Sequence, residues 1–205
     1  MSQQTTTVSA PAVVGAPYEG GFYAGLIRIG DAIHALIVAP KALGETIAAW
    51  DEADDPIEIP GTGSYFDGAA NTEAMAAAGL RLGKWAAALE IGGFIDWHLP
   101  SRDELEICYR AFKPTARSNT RFSGDNPSAV PVTWPYAIQT PAQTSVEAFQ
   151  VGGPEAFDDS WYWTSTQYSA SDAWLQNFNY GGSQYSSYKS YEARARAVRT
   201  IQLSA

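Results

Sequence analysis

The chain has 205 residues, a formal net charge of −9 and 13% aromatic residues, including 7 Trp and 11 Tyr. No Lys or Arg occurs between Arg121 and Lys189, whereas a nucleic-acid surface needs clustered cations, so we do not expect nucleic acid as a partner. The single cysteine, Cys108, excludes an internal disulfide and a cysteine zinc site, and we expect it to be a small buried hydrophobe.

The N-terminal part of the sequence predicts a tail followed by a β-hairpin. Residues 1–17 are polar and aperiodic, which indicates a flexible tail. This tail has no basic start, and no segment of the chain approaches the ~20 apolar residues of a membrane span, so we expect neither a signal peptide nor membrane insertion. Two β-prone runs, 21–29 and 32–39, flank the glycine-first pair Gly30 and Asp31, which favours a tight hairpin turn.

A loop and two helices are predicted next. Residues 45–58 carry six carboxylates and no cation, which is typical of a solvated loop. Apolar residues recur at helical spacing over 71–90, with Asn71 as the expected cap. Ser101 and Glu104 have the spacing of a capping box, and they predict a second helix that Pro114 ends.

The last part of the chain is predicted to be β-rich. A short helix near 145–151 precedes three expected strands, at 161–164, 173–178 and 193–201. In the last of them, arginines are interspersed with small residues, so we expect a scaffold strand whose arginines reach carboxylates or carbonyls. Those arginines are Arg194, Arg196 and Arg199.

The sequence does not predict an enzyme or a metal site. Neither histidine, His34 or His98, has a second ligand at metal-binding spacing, so both are interpreted as structural or surface residues. The acidic run at 51–58 lacks the alternating oxygen ligands and the central glycine of a calcium loop. No nucleophile, acid and base occur in a catalytic arrangement, so we expect no catalytic residues, no metal and no cofactor.

Residues 167–191 have the composition of a binding surface. They contain five of the 11 tyrosines, together with many Ser, Gly and Asn residues. Tyr offers a large contact area at low entropic cost, and Ser, Gly and Asn offer adaptable hydrogen bonds. The alternative is a β-rich segment whose tyrosines cover the core, but alternation would bury only half of them. The predicted ligand-binding residues are Tyr168, Ser169, Ser171, Asp172, Asn177, Asn179, Tyr180, Ser183, Tyr185, Ser186, Ser187, Tyr188, Ser190 and Tyr191. Most are expected to form one contiguous exposed face.

Three motifs carry a resemblance to a known family. The segments GGFIDWHLPSRDEL at 92–105, YWTST at 162–166 and RARAVR at 194–199 resemble the DUF1566 (Lcl C-terminal) proteins. His98 and Ser101 stand where the family pattern has Arg and Thr, and both still allow the turn and the helix cap. The resemblance extends over nearly the whole chain after residue 17.

The resemblance implies an α+β, C-type-lectin-like domain over 18–205. This fold has two main helices, a central antiparallel sheet and, here, an N-terminal β-hairpin extension, with core anchors at Trp97, Trp163 and Trp174. In some phage and bacterial relatives it displays a Tyr-, Ser- and Asn-rich region before the last strand, diversified by a retroelement that mutates adenines. Glutamine cannot arise by that route from an AAC codon, so the resemblance implies fixed residues at Gln167, Gln176 and Gln184.

The function expected from the resemblance is ligand or receptor recognition. The partner would be a host-cell surface protein or glycan, or another virion protein, and the chain would act at a phage tail-fibre tip or as a prophage product. It would be located in the virion, or in the host cytoplasm before assembly. The alternative is a non-diversified structural or assembly protein that uses the same tyrosines at a subunit interface. The motifs of calcium-dependent lectins are absent from the sequence, so metal-mediated sugar binding is not expected.

Overall fold

The architecture is mixed α+β, with two sheets and few helices. The computed structural model describes residues 9–121, 123–179 and 181–204. Within these ranges the α-helices are α1 (Lys41–Gly44), α2 (Gly68–Ala77), α3 (Arg81–Ala87) and α4 (Arg102–Phe112), and the short helix predicted near 145–151 is the 3-10 helix Glu147–Phe149. The strands are β1 (Pro17–Tyr18), β2 (Gly21–Ile29), β3 (Ala32–Val38), β4 (Glu45–Ala49), β5 (Trp161–Gln167), β6 (Asp172–Asn177), β7 (Gln184–Tyr188), β8 (Glu192–Arg196) and β9 (Val198–Gln202). The four-stranded sheet has the order β1-β2-β3-β9, and the five-stranded sheet has the order β4-β8-β5-β6-β7.

The predicted hairpin is confirmed, but it is not an extension. Strands β2 and β3 pair antiparallel up to Ile29 and Ala32, and Gly30 takes a φ of +59° in the turn between them. Strand β9 adds to β3, which puts the hairpin in the middle of its sheet. Because Ile27 and Leu36 belong to the largest buried cluster, the hairpin builds the core.

The helix predicted over 71–90 is two helices. Helix α2 begins after Asp67, whose Oδ1 accepts a hydrogen bond from the Ala70 N–H at 3.0 Å, so Asp67 replaces Asn71 as the cap. Asn71 lies inside the helix and is buried. The chain leaves α2 through Gly79, whose φ of +93° is a left-handed conformation that favours glycine.

Helix α4 confirms the predicted capping box. The Ser101 Oγ accepts from the Glu104 N–H at 3.3 Å, and the Ser101 N–H donates to Glu104 Oε2 at 2.6 Å. Glu104 also lies 3.4 Å from the Nε2 of buried His98. Cys108 is buried in the core on the same helix, and this burial raises the pKa of its thiol. None of the helices in the described ranges is both long and apolar enough to cross a membrane.

Part of the predicted acidic loop is a strand. Residues Glu45–Ala49 form β4 and pair antiparallel with β8, so the loop prediction fails at this end of 45–58. Glu45 lies 2.7 Å from Arg194 Nη1 across the strand pair. The neutralising cation comes from a residue far away in the sequence, and for this reason the local charge pattern did not predict the strand.

The predicted final strand contributes to both sheets. It is broken at Ala197, whose N–H donates to the Gly44 carbonyl and whose carbonyl accepts from the Ala39 N–H. Before the break, β8 belongs to the five-stranded sheet, and after it β9 belongs to the four-stranded sheet. Strands β8 and β5 meet in a parallel bridge, so the larger sheet is not purely antiparallel.

The arginines of this segment have the scaffold contacts predicted for them. Arg199 makes two hydrogen bonds to the Asp96 carboxylate, at 2.8 and 2.9 Å. Arg196 is buried; it donates to the Ala39 carbonyl at 3.0 Å and pairs with Glu155 at 2.6 Å.

Candidate ligand-binding surface

The segment predicted to bind ligand forms the free edge of the larger sheet. It covers the end of β5, strands β6 and β7, and the turns between them. Among the described residues, β7 pairs with β6 alone. Four tyrosines here are exposed by about half or more: Tyr168 at 58%, Tyr185 at 67%, Tyr188 at 69% and Tyr191 at 49%.

The two sides of β7 form two surfaces, not one contiguous face. Tyr185 is paired with Leu175 and Tyr188 with Asp172. Since side chains alternate along a strand, Tyr185 and Tyr188 point to opposite sides of the sheet. Sequence composition predicted the exposed tyrosines, but it could not assign them to faces.

One surface is centred on Trp174, and we call it the Trp174 face. The Trp174 ring makes edge contacts with the Tyr168 ring at 5.2 Å and the Tyr65 ring at 6.1 Å. The Arg102 guanidinium lies 5.0 Å from the Tyr65 ring centre and 5.1 Å from that of Trp174. Tyr188 is on the same side of the sheet, because it is paired with Asp172, two residues before Trp174.

Trp174 is therefore not the core anchor that the sequence predicted. Trp97 and Trp163 are buried as expected. Trp163 of β5 is paired with Leu175 of β6, so both side chains lie on the same face of the sheet. There they belong to one buried hydrophobic cluster. Trp174 is one residue out of phase with them and is only partly buried.

Unpartnered polar atoms concentrate at the base of the Trp174 face. Of the six buried side-chain atoms without a hydrogen-bond partner in the described protein, four lie here. They are Trp174 Nε1, Arg102 Nε, Gln176 Oε1 and Gln184 Oε1. Gln184 also reaches Arg102, because its Nε2 donates to the Arg102 carbonyl at 3.3 Å. This region has donors and acceptors that the fold itself does not use.

The other surface contains a small cavity, which we call the Trp161 pocket. It has a volume of about 170 Å³ and is lined by Trp161, Leu175, Tyr185, Ser187 and Tyr191. Three aromatic side chains from β5, β7 and the turn after β7 thus surround one space. Tyr185 and Tyr191 were predicted from composition. Trp161 was assigned only to a strand, because nothing in its neighbourhood shows which face it occupies.

In the β6–β7 turn, Asn177 is not exposed as predicted, and Tyr180 is not among the described residues. Asn177 is 2% exposed, because its Oδ1 turns inward and accepts from the Asn179 N–H at 2.6 Å. It shapes the β6–β7 turn and does not reach the surface. Asn179 is half-buried and accepts a hydrogen bond from Arg117. Tyr180 lies outside the described residues, as do residues 1–8 of the predicted tail.

The predicted serines and Asp172 mostly occupy turns and strand edges. In the β5–β6 turn, Asp172 Oδ2 accepts from Ser169 at 3.1 Å and from Ser171 at 2.5 Å, which fixes the turn that carries Tyr168. Ser190 is exposed. The remaining serines are half-buried: Ser183, Ser186 and Ser187.

Lys189 is a buried anchor within the surface segment, and sequence reasoning missed this role. Its side chain is 1% exposed, and its Nζ donates to the Ile57 carbonyl at 2.9 Å and to Gln167 Oε1 at 2.7 Å. It also lies 4.8 Å from the Trp50 ring centre. Burial lowers the pKa of Lys189. The available signal was that Lys189 is the sole cation between Arg121 and Arg194.

Other residues of 167–191 are also framework. Gln176 is fully buried and donates to the Gly182 carbonyl at 2.5 Å. Gly182 has a φ of +70°, and a side chain there would collide with the Tyr109 ring. The segment therefore combines exposed tyrosines with fixed internal positions. Among the described residues, no group of three or more His, Cys, Asp and Glu side chains is arranged to hold a metal ion.

Comparison with known proteins places the chain in a family. No curated protein sequence matches it. Among solved structures, a fimbrial protein from Bacteroides ovatus resembles it with a TM-score of 0.45 and 12% sequence identity, over 82% of this chain and 36% of that one. This chain thus spans about a third of that protein. The family model of the Lcl C-terminal domain matches residues 46–199, about three quarters of the sequence. The chain therefore belongs to the Lcl C-terminal domain family.

Proposed function

We propose that this protein recognises a ligand or receptor through the exposed tyrosines around β7. The observation that carries the proposal is the exposure of Tyr168, Tyr185, Tyr188 and Tyr191 along one free sheet edge. Clustered exposed aromatic residues are uncommon on monomeric proteins and mark interaction sites. Binding here needs no chemistry, only contact area and hydrogen bonds.

The supporting framework suits a binding role because it is rigid beneath the tyrosines. The Asp172 turn and the Lys189 anchor hold the two ends of the segment through side-chain hydrogen bonds. Tyr has only two side-chain torsions to fix, so a preorganised tyrosine surface loses little entropy on binding. Individual tyrosines can then be exchanged without disturbing the sheet.

The finer proposal is a C-type-lectin-like variable protein of a phage or prophage. The exposed Tyr and Ser residues fit a region changed at adenines, and the internal contacts of Gln167 and Gln176 fit positions that must stay fixed. The partner is then a host-cell surface protein or glycan, contacted at a tail-fibre tip. Genomic sequence tests this directly: diversification requires a reverse transcriptase gene and a near-repeat of the codons for 163–200 that differs at adenines.

Binding to intact bacterial cells of the strain that carries the gene tests the recognition function. We expect at least one of Tyr168→Ala, Tyr185→Ala and Tyr188→Ala to weaken binding by about 1–2 kcal/mol, with unfolding free energies within about 0.5 kcal/mol of the parent. Trp134→Ala is the matched control, because Trp134 is an exposed aromatic residue outside this surface.

The same variants test the alternative of a subunit interface. Sedimentation velocity would show an oligomer that dissociates in the tyrosine variants. If that happens and cell binding is unchanged, the tyrosines serve assembly, and the recognition proposal is wrong.

A further inference from the structure

We propose that the Trp161 pocket binds a quaternary ammonium group, such as the trimethylammonium head of a choline-type ligand. This inference rests on the proposed function and names the ligand class for one side of the surface. It follows from the aromatic lining of the pocket, its size, and the charges around it.

The strand register brings the lining together on one face. Trp161 is paired with Asn177, Leu175 with Tyr185 and Ala173 with Ser187, so these side chains all point to the same side of the sheet. Leu175 is buried and lies between the two aromatic strands as a floor, while Tyr185 and Tyr191 are exposed at the rim. Aromatic faces attract cations through their electron-rich π-systems, and Trp does so most strongly.

The size of the pocket matches a small head group. Its volume of about 170 Å³ corresponds to about five or six water molecules, at ~30 Å³ each. A trimethylammonium head with one following carbon has five heavy atoms. The pocket therefore has room for the head, and the rest of the ligand extends into solvent.

The charge around the pocket favours a cation over a neutral group. The chain has a formal net charge of −9, and the exposed Glu192 directly follows Tyr191 at the rim. Lys189 points to the same side of the sheet, but it is buried and held against Trp50 by its two hydrogen bonds. The exposed Arg117 is paired with Asp159 at 3.2 Å. A net negative protein with an exposed carboxylate beside the rim favours cations as partners.

The chemistry of the lining distinguishes a quaternary ammonium from other cations. Of the side chains that line the pocket, none is a carboxylate, and Ser187 and the two tyrosines are the polar ones. A primary ammonium or a guanidinium has three or more N–H donors, and a lining with neutral hydroxyls but no carboxylate satisfies them poorly, so burying them is costly. A quaternary ammonium has no N–H, so it has no hydrogen bonds to lose.

Titration of the full chain with tetramethylammonium and choline at constant ionic strength tests the proposal. The readout is the NMR signal of the Trp161 indole N–H, identified by its loss in Trp161→Phe. We expect saturable shifts in the millimolar range for both cations. The neutral carbon isostere of choline, dimethylbutanol, should bind at least fivefold more weakly.

A pair of variants on one strand provides the matched control. Tyr185→Ala should weaken tetramethylammonium binding about two- to fivefold, and Tyr185→Phe should retain it, because the ring makes the contact. Tyr188→Ala should change nothing, since Tyr188 is equally exposed on the opposite side of the same strand.

Several outcomes would overturn the proposal. Equal binding of the neutral isostere would mean an ordinary apolar pocket, and tighter binding of arginine amide would mean a guanidinium site. An absence of shifts would also reject it. If choline fails to bind while the tyrosine variants still lose cell binding, this inference is wrong and the recognition function stands. If choline binds while cell binding is unaffected by every tyrosine variant, the recognition function fails instead.

Discussion

Trp163 and Trp174 lie on neighbouring strands, yet Trp163 builds the core and Trp174 belongs to the surface. Trp163 is fully buried, and its Nε1 donates to the Ala48 carbonyl at 3.1 Å. Trp174 contacts exposed aromatic rings, and its Nε1 has no partner in the described protein. The difference comes from strand phase alone, because the residue type and the neighbouring residues give no clue to it.

Alanine substitution should separate these two roles. We expect Trp163→Ala to lower the free energy of unfolding by about 3–5 kcal/mol, because it leaves a large cavity in the core. Trp174→Ala should cost only about 1–2 kcal/mol, since it removes edge contacts between partly exposed rings. Urea unfolding of the two variants measures both values. Equal losses would show that Trp174 is a core residue after all.

Asp103 should make stability depend on pH. Its carboxylate is buried at the start of α4, with Ser128 at 2.6 Å and Arg102 at 3.3 Å. Burial raises the pKa of Asp103 from 3.8 to about 6, although Ser128 and Arg102 act in the opposite direction. A raised folded-state pKa stabilises the protein fully below pH 3.8, and this stabilisation is lost as the pH rises through 6.

Asp103→Asn removes this titration while keeping an acceptor for Ser128. The stability of the variant relative to the parent should therefore increase by about 2–3 kcal/mol between pH 4 and pH 7. Chemical unfolding of both proteins at a series of pH values measures the difference. A constant difference over that range would contradict a raised pKa.

At the scale of elements, Lys189 fixes the acidic loop to the end of β7. The loop supplies the Ile57 carbonyl to Lys189 Nζ, and the Ile59 N–H, just after the loop, donates to Gln167 Oε1, which Lys189 also contacts. The backbone gives a second link, because the Asp51 N–H donates to the Lys189 carbonyl at 3.0 Å. Both the side chain and the main chain of Lys189 thus contact the loop.

Lys189→Met should loosen the loop selectively. It keeps the length of the side chain but removes the hydrogen bonds to the Ile57 carbonyl and Gln167 Oε1, so we expect a loss of about 1–3 kcal/mol. Amide hydrogen exchange should become at least tenfold faster at Ile59. The Asp51 amide is the internal control, because the carbonyl that it contacts is retained. Unchanged exchange at Ile59 would show that Lys189 does not hold the loop.

Elements with local signals were predictable from the sequence, and those that depend on distant partners were not. The hairpin at Gly30 and the capping box at Ser101 have their causes within a few residues. Strand β4 depends on Arg194, and the break at Ala197 depends on Gly44 and Ala39. Strand β7 lacks the apolar alternation of a typical strand, so it was missed.

The candidate site shows the same division. Composition identified the exposed tyrosines of 167–191, because it reflects their abundance within one window. It could not identify Tyr65, Arg102 or Trp161, which come from other parts of the chain and join the surface only through the fold. It also could not show that Asn177 turns inward.

For the whole molecule, the change of sheet at Ala197 makes the C-terminal segment a link between the two sheets. Arg196, just before the break, reaches the Ala39 carbonyl beside the four-stranded sheet and the Glu155 side chain. It also lies 4.9 Å from the Phe157 ring centre. A buried cation with these contacts ties both sheets to the loop before β5.

Arg196→Ala should therefore destabilise the whole protein. Removing one partner of a buried pair leaves Glu155 without its cation, and we expect a loss of about 3–5 kcal/mol in one cooperative transition. Arg117→Ala is the control, because Arg117 forms an exposed pair and should cost less than about 1 kcal/mol. Thermal melts followed by near-UV circular dichroism measure both. Two separate transitions in the Arg196 variant would indicate that the sheets unfold independently.

The opposite orientations of Tyr185 and Tyr188 have a consequence for protein engineering. A combinatorial library with random codons at 185 and 187 would sample one side of the sheet, and a library at 186 and 188 would sample the other. Successive rounds of selection would then yield a bispecific molecule on a single scaffold. Deletion of Ser183 would shift β7 by one residue and move each selected side chain to the opposite side of the sheet.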